Sequence, residues 1–174
     1  MIKSDDRRAA LLVQLADYVL AEGLSASSLR PLAKAAHISD RMLLYYFKDK
    51  ADIISAVLDL ILGRLVTLLS EQTDGTLLPL EQLRPRLTAI LFADTLWPYM
   101  RLWLEISALS AKGDPLFRDV GARMGRGFFA WGAAQLDSMT PEARERDAAQ
   151  LLISIEGMLL LKSIGLDDVC QKAN

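Results

Sequence analysis

The sequence predicts an all-α protein in which a small three-helix head precedes a larger helical body. Three observations predict it. Apolar residues recur with a helical period along nearly the whole chain, and no segment keeps the alternation of a half-buried strand. The breaks between periodic stretches carry the residues that start and stop helices.

Each element follows in order. Leu12, Leu15, Ala16, Val19 and Leu20 mark one face of a first helix, with Asp5 and Asp6 near its start, where negative charge suits the helix dipole. Gly23 takes the left-handed conformation that ends it. Ser27 or Ser28 caps a short second helix, and Pro31 falls in its first turn, where a missing amide hydrogen costs least. His37, Ile38 and Ser39 form a turn, and a third short helix runs from Asp40 to Tyr46. A long helix then extends from Lys50 to Gln72. Its Ile53, Ile54, Val57, Leu58, Ile61, Leu62, Leu65 and Leu69 cover an arc that demands burial on more than one side. Thr73 to Thr76 is a loop, Pro79 opens the next helix, and Pro98 separates or kinks the helices around Trp97. Lys112-Gly113-Asp114-Pro115 supplies an exit, a cap and a first helical residue in succession. Thr140-Pro141-Glu142 is another such signal. The expectation is about eight or nine helices, with a head over residues 1–49 and a body over 50–174.

Composition narrows the function classes. The 174 residues suit a small head sharing a core with a larger body. Hydrophobic residues make up 52% of the chain, yet Glu156 and Lys162 interrupt the richest stretch. No apolar run therefore approaches the roughly 18 residues of a membrane span. The N-terminus lacks the apolar core of a secretory signal, so the expected location is the cytoplasm, with no membrane partner. Cys170 is the single cysteine and His37, the single histidine, lies far from it, which argues against a disulfide or a metal site. Residues 1–50 hold eight Lys/Arg and six Asp/Glu, a balance of +2, while 51–174 hold twelve and sixteen, a balance of −4. A weakly basic head on an acidic body fits that asymmetry.

Catalytic and cofactor motifs are missing. There is no Gly-x-Ser-x-Gly, no histidine-containing metal motif and no phosphate-binding loop. Gly125-Arg126-Gly127-Phe128-Phe129-Ala130 formally matches a dinucleotide loop, but that loop works by following a strand, and here the surroundings are helical. No catalytic residue and no cofactor are expected.

Residues 28–50 carry the sharpest signal. Leu29, Leu32, Ala33, Ala36, Ile38, Leu43 and Phe47 hold two short helices against the first. Left outward are Arg30, Lys34, Ser39, Arg41, Tyr45, Tyr46, Lys48 and Lys50, phosphate donors interleaved with aromatics. Such a set builds a major-groove reader, in which an arginine reaches the two acceptors of a guanine edge. Leu32-Ala33, Ala36, Ile38-Ser39, Leu43, Tyr46-Phe47 and Lys50 resemble, in register, the helix-turn-helix signature of the TetR family of transcriptional regulators. The resemblance implies a dimer on a palindromic operator duplex, released by a small molecule, with repression the commoner mode. It puts Ser28, Arg30, Ser39, Tyr45, Tyr46 and Lys50 at operator-contacting positions, Lys50 on phosphate, and Arg41 adds a further contact. Three positions depart from the family pattern: His37 at the turn glycine, Arg41 at the glycine opening the third helix, and Leu44 at a phosphate-binding tyrosine.

In the body, large side chains ordinarily form core. Together, Phe92, Trp97, Met100, Trp103 and Phe128 are also the candidate lining of the cavity that the resemblance implies, for a small apolar or aromatic effector. Glu105 is its polar group, or else the surface partner of Arg101 four residues earlier. Leu151, Leu152, Ile155, Met158, Leu159 and Leu161 spread too widely for one short monomer to bury, which points to a homodimer through the last two long helices, 115–137 and 141–164. Two rivals stay open: a helical small-molecule-binding protein with a degenerate head, motivated by the three departures, and a cofactor-independent enzyme using Glu105 or Glu156.

Overall fold

The computed structural model describes residues 2–172, with side chains from Asp6 onward. Among these residues the chain is all-helical, as expected, with nine helices: α1 (Ile2–Glu22), α2 (Leu29–Ala35), α3 (Asp40–Tyr46), α4 (Lys50–Thr73), α5 (Leu80–Leu91), α6 (Trp97–Ala111), α7 (Pro115–Gln135), α8 (Pro141–Ser163) and α9 (Asp167–Lys172). The segment that formally matches a dinucleotide loop lies inside α7. Two compact units divide the chain, one of Met1–Leu65 with Arg101–Gly121, the other of Val66–Met100 with Ala122–Asn174. Residues 2–49 fall within the first.

The first unit holds α1, α2, α3, the first part of α4, most of α6 and the start of α7. Leu11, Leu15, Ala16 and Val19 give α1 a buried stripe at helical spacing. Against it stand Leu32 and Ala33 of α2, Leu43 of α3, and Ile53, Ile54, Val57, Leu58 and Ile61 of α4, all buried. Full burial of each Leu or Ile contributes about 1.5–3 kcal/mol. Helices of seven residues such as α2 and α3 are too short to persist alone, so this packing is what keeps them formed.

One expectation needs correction. An 18-residue window within α4 reaches a mean hydropathy of 2.0, enough by length and composition for a membrane span. Counting uninterrupted runs stops at Asp59 and Arg64, whereas a window average tolerates both. In the fold α4 is a core helix with a solvated side, and its Arg64 pairs with Asp17 of α1 at 2.7 Å.

In the second unit α5 and α9 both pack on α8. Thr140 caps α8 by accepting the Ala143 N–H at 3.1 Å, with Pro141 in the first turn as expected. Pro85, unremarked in the sequence reading, sits inside α5 and removes one helical donor. The loops before α5 and after α7 are joined by the backbone, Leu78 N–H to Gln135 O at 3.0 Å and Asp137 N–H to Leu78 O at 2.9 Å. Leu151, Met158 and Leu159 of α8 are consumed in this core, so they are not the surplus surface that the sequence suggested. The surplus is elsewhere on the helix. Ile153, Leu160 and the following Ile164 are 71%, 55% and 64% exposed. With Gly157 they form a stripe at intervals of four, three and four residues.

The exit from α1 is held by α6. Arg101 Nη2 donates to Leu20 O at 2.9 Å and to Ala21 O at 2.8 Å, satisfying carbonyls that the helix leaves unpaired and placing positive charge at its negative end. One turn further along, Glu105 Oε2 accepts the Leu24 N–H at 2.7 Å. Between them Gly23 adopts φ +83, and a Cβ there would lie 2.5 Å from Glu105 Oε1. Ser27 Oγ closes the corner by donating to Gly23 O at 2.7 Å. Gly23→Ala should therefore lower stability by about 1–3 kcal/mol from backbone strain alone, with further loss as Glu105 is displaced. Thermal and denaturant unfolding of the variant measure it.

Candidate nucleic-acid interface

The segment from α2 to the start of α4 is shaped by three local end-structures. At the end of α2 the His37 N–H donates to Lys34 O at 3.1 Å and the Ile38 N–H to Ala33 O at 3.0 Å. That paired exit needs a left-handed residue after the helix, and His37 supplies it with φ +55. The turn thus survives without its glycine, at a cost of about 1–2 kcal/mol.

Ser39 opens α3. Its backbone is extended, φ −79 and ψ 157, and its Oγ accepts the Met42 N–H at 3.2 Å. The cap occupies an oxygen lone pair and leaves the hydroxyl hydrogen able to donate to a phosphate. At the start of α4, Asp49 Oδ1 accepts the Asp52 N–H at 2.9 Å while Asp52 Oδ2 accepts the Lys48 N–H at 3.0 Å. These bonds fix the backbone that carries Lys50, the first residue of α4.

The far end of α3 is tied to α1. Arg8 Nε donates to Tyr46 O at 3.3 Å, and its guanidinium lies 4.6 Å from the Phe47 ring centroid. Sequence reasoning did not single out Arg8. Its partner is 38 residues away, and no local spacing signals the contact.

The outward set is cationic and aromatic. Arg30, Lys34, Arg41, Lys48 and Lys50 are exposed, as is Ser28, which precedes α2 and makes no side-chain cap bond. Tyr45 is 73% exposed and meets the half-buried Tyr46 edge to face at 5.1 Å. Ser28, Arg30, Ser39, Arg41, Tyr45 and Lys50 thus all stand at the surface of the first unit, and Tyr46 is partly covered. Hydroxyl and cationic donors in this number suit phosphates and base edges. Two side chains that sequence reasoning did not offer as contacts join them. Met42 and Leu44, each 43% exposed, line an open hollow with Arg41 and Tyr45.

The body candidates divide between the units. Phe92, just past α5, Trp97 and Met100 of α6, and Phe128 of α7 belong to the second. Lys162 Nζ lies 5.4 Å from the Trp97 ring centroid, and Met100 is buried. Trp103 and Glu105 belong to the first unit. There the Glu105 carboxylate is engaged by the Leu24 amide, and the Arg101 guanidinium by the carbonyls ending α1. The spacing that suggested a ligand group or a surface pair carried no hint of this, because both partners lie about eighty residues back.

Comparison with known proteins gives the segment its context. The sequence pattern described as bacterial regulatory proteins, tetR family, matches residues 16–57, which span the exit of α1, α2, α3 and the start of α4. No curated protein sequence matches the chain. Among solved structures it is similar to a transcriptional regulator from Rhodococcus sp. Rha1, at 22% identity and TM-score 0.69, covering 93% of this chain and 86% of that one. It is similar to reduced NemR from E. coli at 18% identity and TM-score 0.67, covering 97% and 96%. FadR from Bacillus subtilis, solved with stearoyl-CoA, aligns at 14% identity and TM-score 0.55, covering 88% and 87%. At such identities these structures speak for the fold, and the likeness to the family is confined to residues 16–57. By that match, residues 16–57 are similar to the head of the bacterial regulatory proteins of the tetR family, and the helix order around them is similar to that of the solved regulators.

Proposed function

We propose that the chain is a cytoplasmic, ligand-responsive repressor that binds a near-palindromic operator as a homodimer and leaves it when a small apolar or aromatic effector binds. The observation that carries this reading is the exposed cationic and aromatic face of α2 and α3, on a turn and caps that keep their form despite three departures from the family pattern. The same observation disfavours a degenerate head. A head released from DNA binding has no reason to keep five exposed cations around a well-capped reading helix.

Selection from a random duplex pool tests the reading directly. Two heads related by a two-fold axis should enrich a near-palindrome with half-sites roughly 34–36 Å apart or a multiple of that. Lys50→Ala should then weaken binding to all sequences alike and make the salt dependence shallower by about one unit. Arg30→Ala should instead cost about 1–3 kcal/mol at one preferred base pair and relax specificity there. Unchanged affinity, specificity and salt slope in both variants would remove these residues from the interface.

Dimerisation is supported by the α8 stripe of Ile153, Gly157, Leu160 and Ile164. A second copy of the same stripe would cover its aliphatic side chains, with the bare Gly157 permitting close approach. Sedimentation at micromolar concentration should find a dimer. The double variant Ile153→Lys, Leu160→Lys should be monomeric yet folded, since neither side chain belongs to the core.

For the effector, we assign Phe92, Trp97, Met100 and Phe128 in the second unit. A bound ligand in a neighbouring fold, the stearoyl-CoA of FadR, carries a long apolar acyl chain, which supports an effector with an apolar part. The route to the head runs along α6, which carries Trp97 and Met100 in the second unit and Arg101 and Glu105 in the first. An effector that prefers one placement of α6 would shift the corner at Gly23, and operator affinity would fall by its differential binding to the two states. A thermal-shift screen followed by tryptophan fluorescence should find compounds stabilising the protein by about 2.7 kcal/mol at one hundred times Kd. Compounds that stabilise the protein and leave operator affinity unchanged would break the proposed coupling.

A further inference from the structure

α3 divides its aliphatic side chains in a way the fold does not require. Leu43 is fully buried and Phe47, just past the helix, is 2% exposed. These two anchor the helix. Met42 and Leu44 point away, each 43% exposed, and share an open hollow with Arg41 and Tyr45. Neither contributes to the core, so stability does not account for two large aliphatic residues in the middle of a reading surface. The flanking charges decide what the hollow takes. Arg30, Lys34, Arg41, Lys48 and Lys50 are exposed on the same segment, which suits a polyanion and opposes a neutral apolar partner.

We propose that Met42 and Leu44 read the C5-methyl groups of thymines, so that each operator half-site places thymine beside a guanine read by Arg41. This inference rests on the operator-binding reading above and deepens it. A thioether or alkyl group offers no strong donor or acceptor, so against N7, O6, N6 or N4 it would strip water from a polar edge without replacing the bond. The thymine methyl is the one apolar group on the major-groove edge of a standard base pair. Arg41 is the neighbouring side chain able to hold a guanine through two acceptors. Three residues separate Arg41 from Leu44, about 4.5 Å along the helix axis, a little more than one base-pair step. The guanine and a thymine are therefore expected at adjacent or next-adjacent positions.

The test uses the full chain and the duplex it selects from a random pool. Deoxyuridine is placed for thymidine at one half-site position at a time, deleting one methyl while keeping the pairing and polar edges. At one or two positions per half-site, affinity should fall about three- to fivefold, the worth of one buried methyl. Placing 5-methylcytosine at those positions should bind better than cytosine. Met42→Ala and Leu44→Ala should each become indifferent to deoxyuridine at one position while keeping the response at the other. Both side chains lie outside the core, so the variants keep the fold, and the wild-type protein carries the test in any case. Tight binding to a selected duplex in which deoxyuridine equals thymidine everywhere would overturn the methyl reading and leave operator binding intact. Failure to select any duplex would overturn both.

Discussion

The corner after α1 is the constraint on which the head depends. A helix that ends leaves carbonyls pointing at nothing, and the chain must then reverse before α2 begins. Here two residues of α6, one helical turn apart, meet both needs: the Arg101 guanidinium takes the last carbonyls, and the Glu105 carboxylate takes the first amide beyond the glycine. The charges are matched to what they face, a cation on acceptors and an anion on a donor. Exchanging them would leave both unsatisfied. Gly23 approaches Glu105 so closely that a methyl group there would displace the carboxylate that holds the first amide beyond the corner.

From that corner the rest of the head follows by short-range rules. α2 ends on a left-handed histidine, α3 begins on a serine cap, and α4 begins on two aspartates, Asp49 accepting the Asp52 N–H and Asp52 accepting the Lys48 N–H. Each is a local bond between residues at most five positions apart. The buried Leu32, Leu43 and Phe47 then clamp the two short helices, and Arg8 reaches over from α1 to finish the outer end of α3. Exposed cations and buried aliphatic side chains thus share the same few turns.

This division explains what was legible in the sequence. Helix ends were readable where a glycine or proline marks them, as at Gly23, Pro115 and Pro141, because those signals act within a turn. The outward residues of α2 and α3 were readable for the same reason. Glu105 was not. Its partner comes from a corner far back in the chain, and no periodicity distinguishes a carboxylate that accepts a distant amide from one facing solvent. The α8 stripe shows a second limit. Leu151, Leu152, Ile153, Leu159, Leu160 and Leu161 lie in apolar runs, and only tertiary packing decides that Leu151 and Leu159 turn inward while Ile153 and Leu160 stay out. Met42 and Leu44 show a third, since the exposed set was read from cationic, hydroxyl and aromatic side chains, and an aliphatic residue outside the core carries none of those signals.

α3 is held at both ends by bonds within the free chain. At seven residues α3 has no stability of its own, yet its serine cap, its two buried anchors and the arginine across its far end complete it in the free protein. Ordering that helix is therefore charged to folding and not to association. In the proposed complex, encounter with a duplex then needs no coupled folding step, and its rate is set by diffusion, orientation and the field of the surrounding cations. The lifetime of the complex becomes the quantity in which one sequence differs from another.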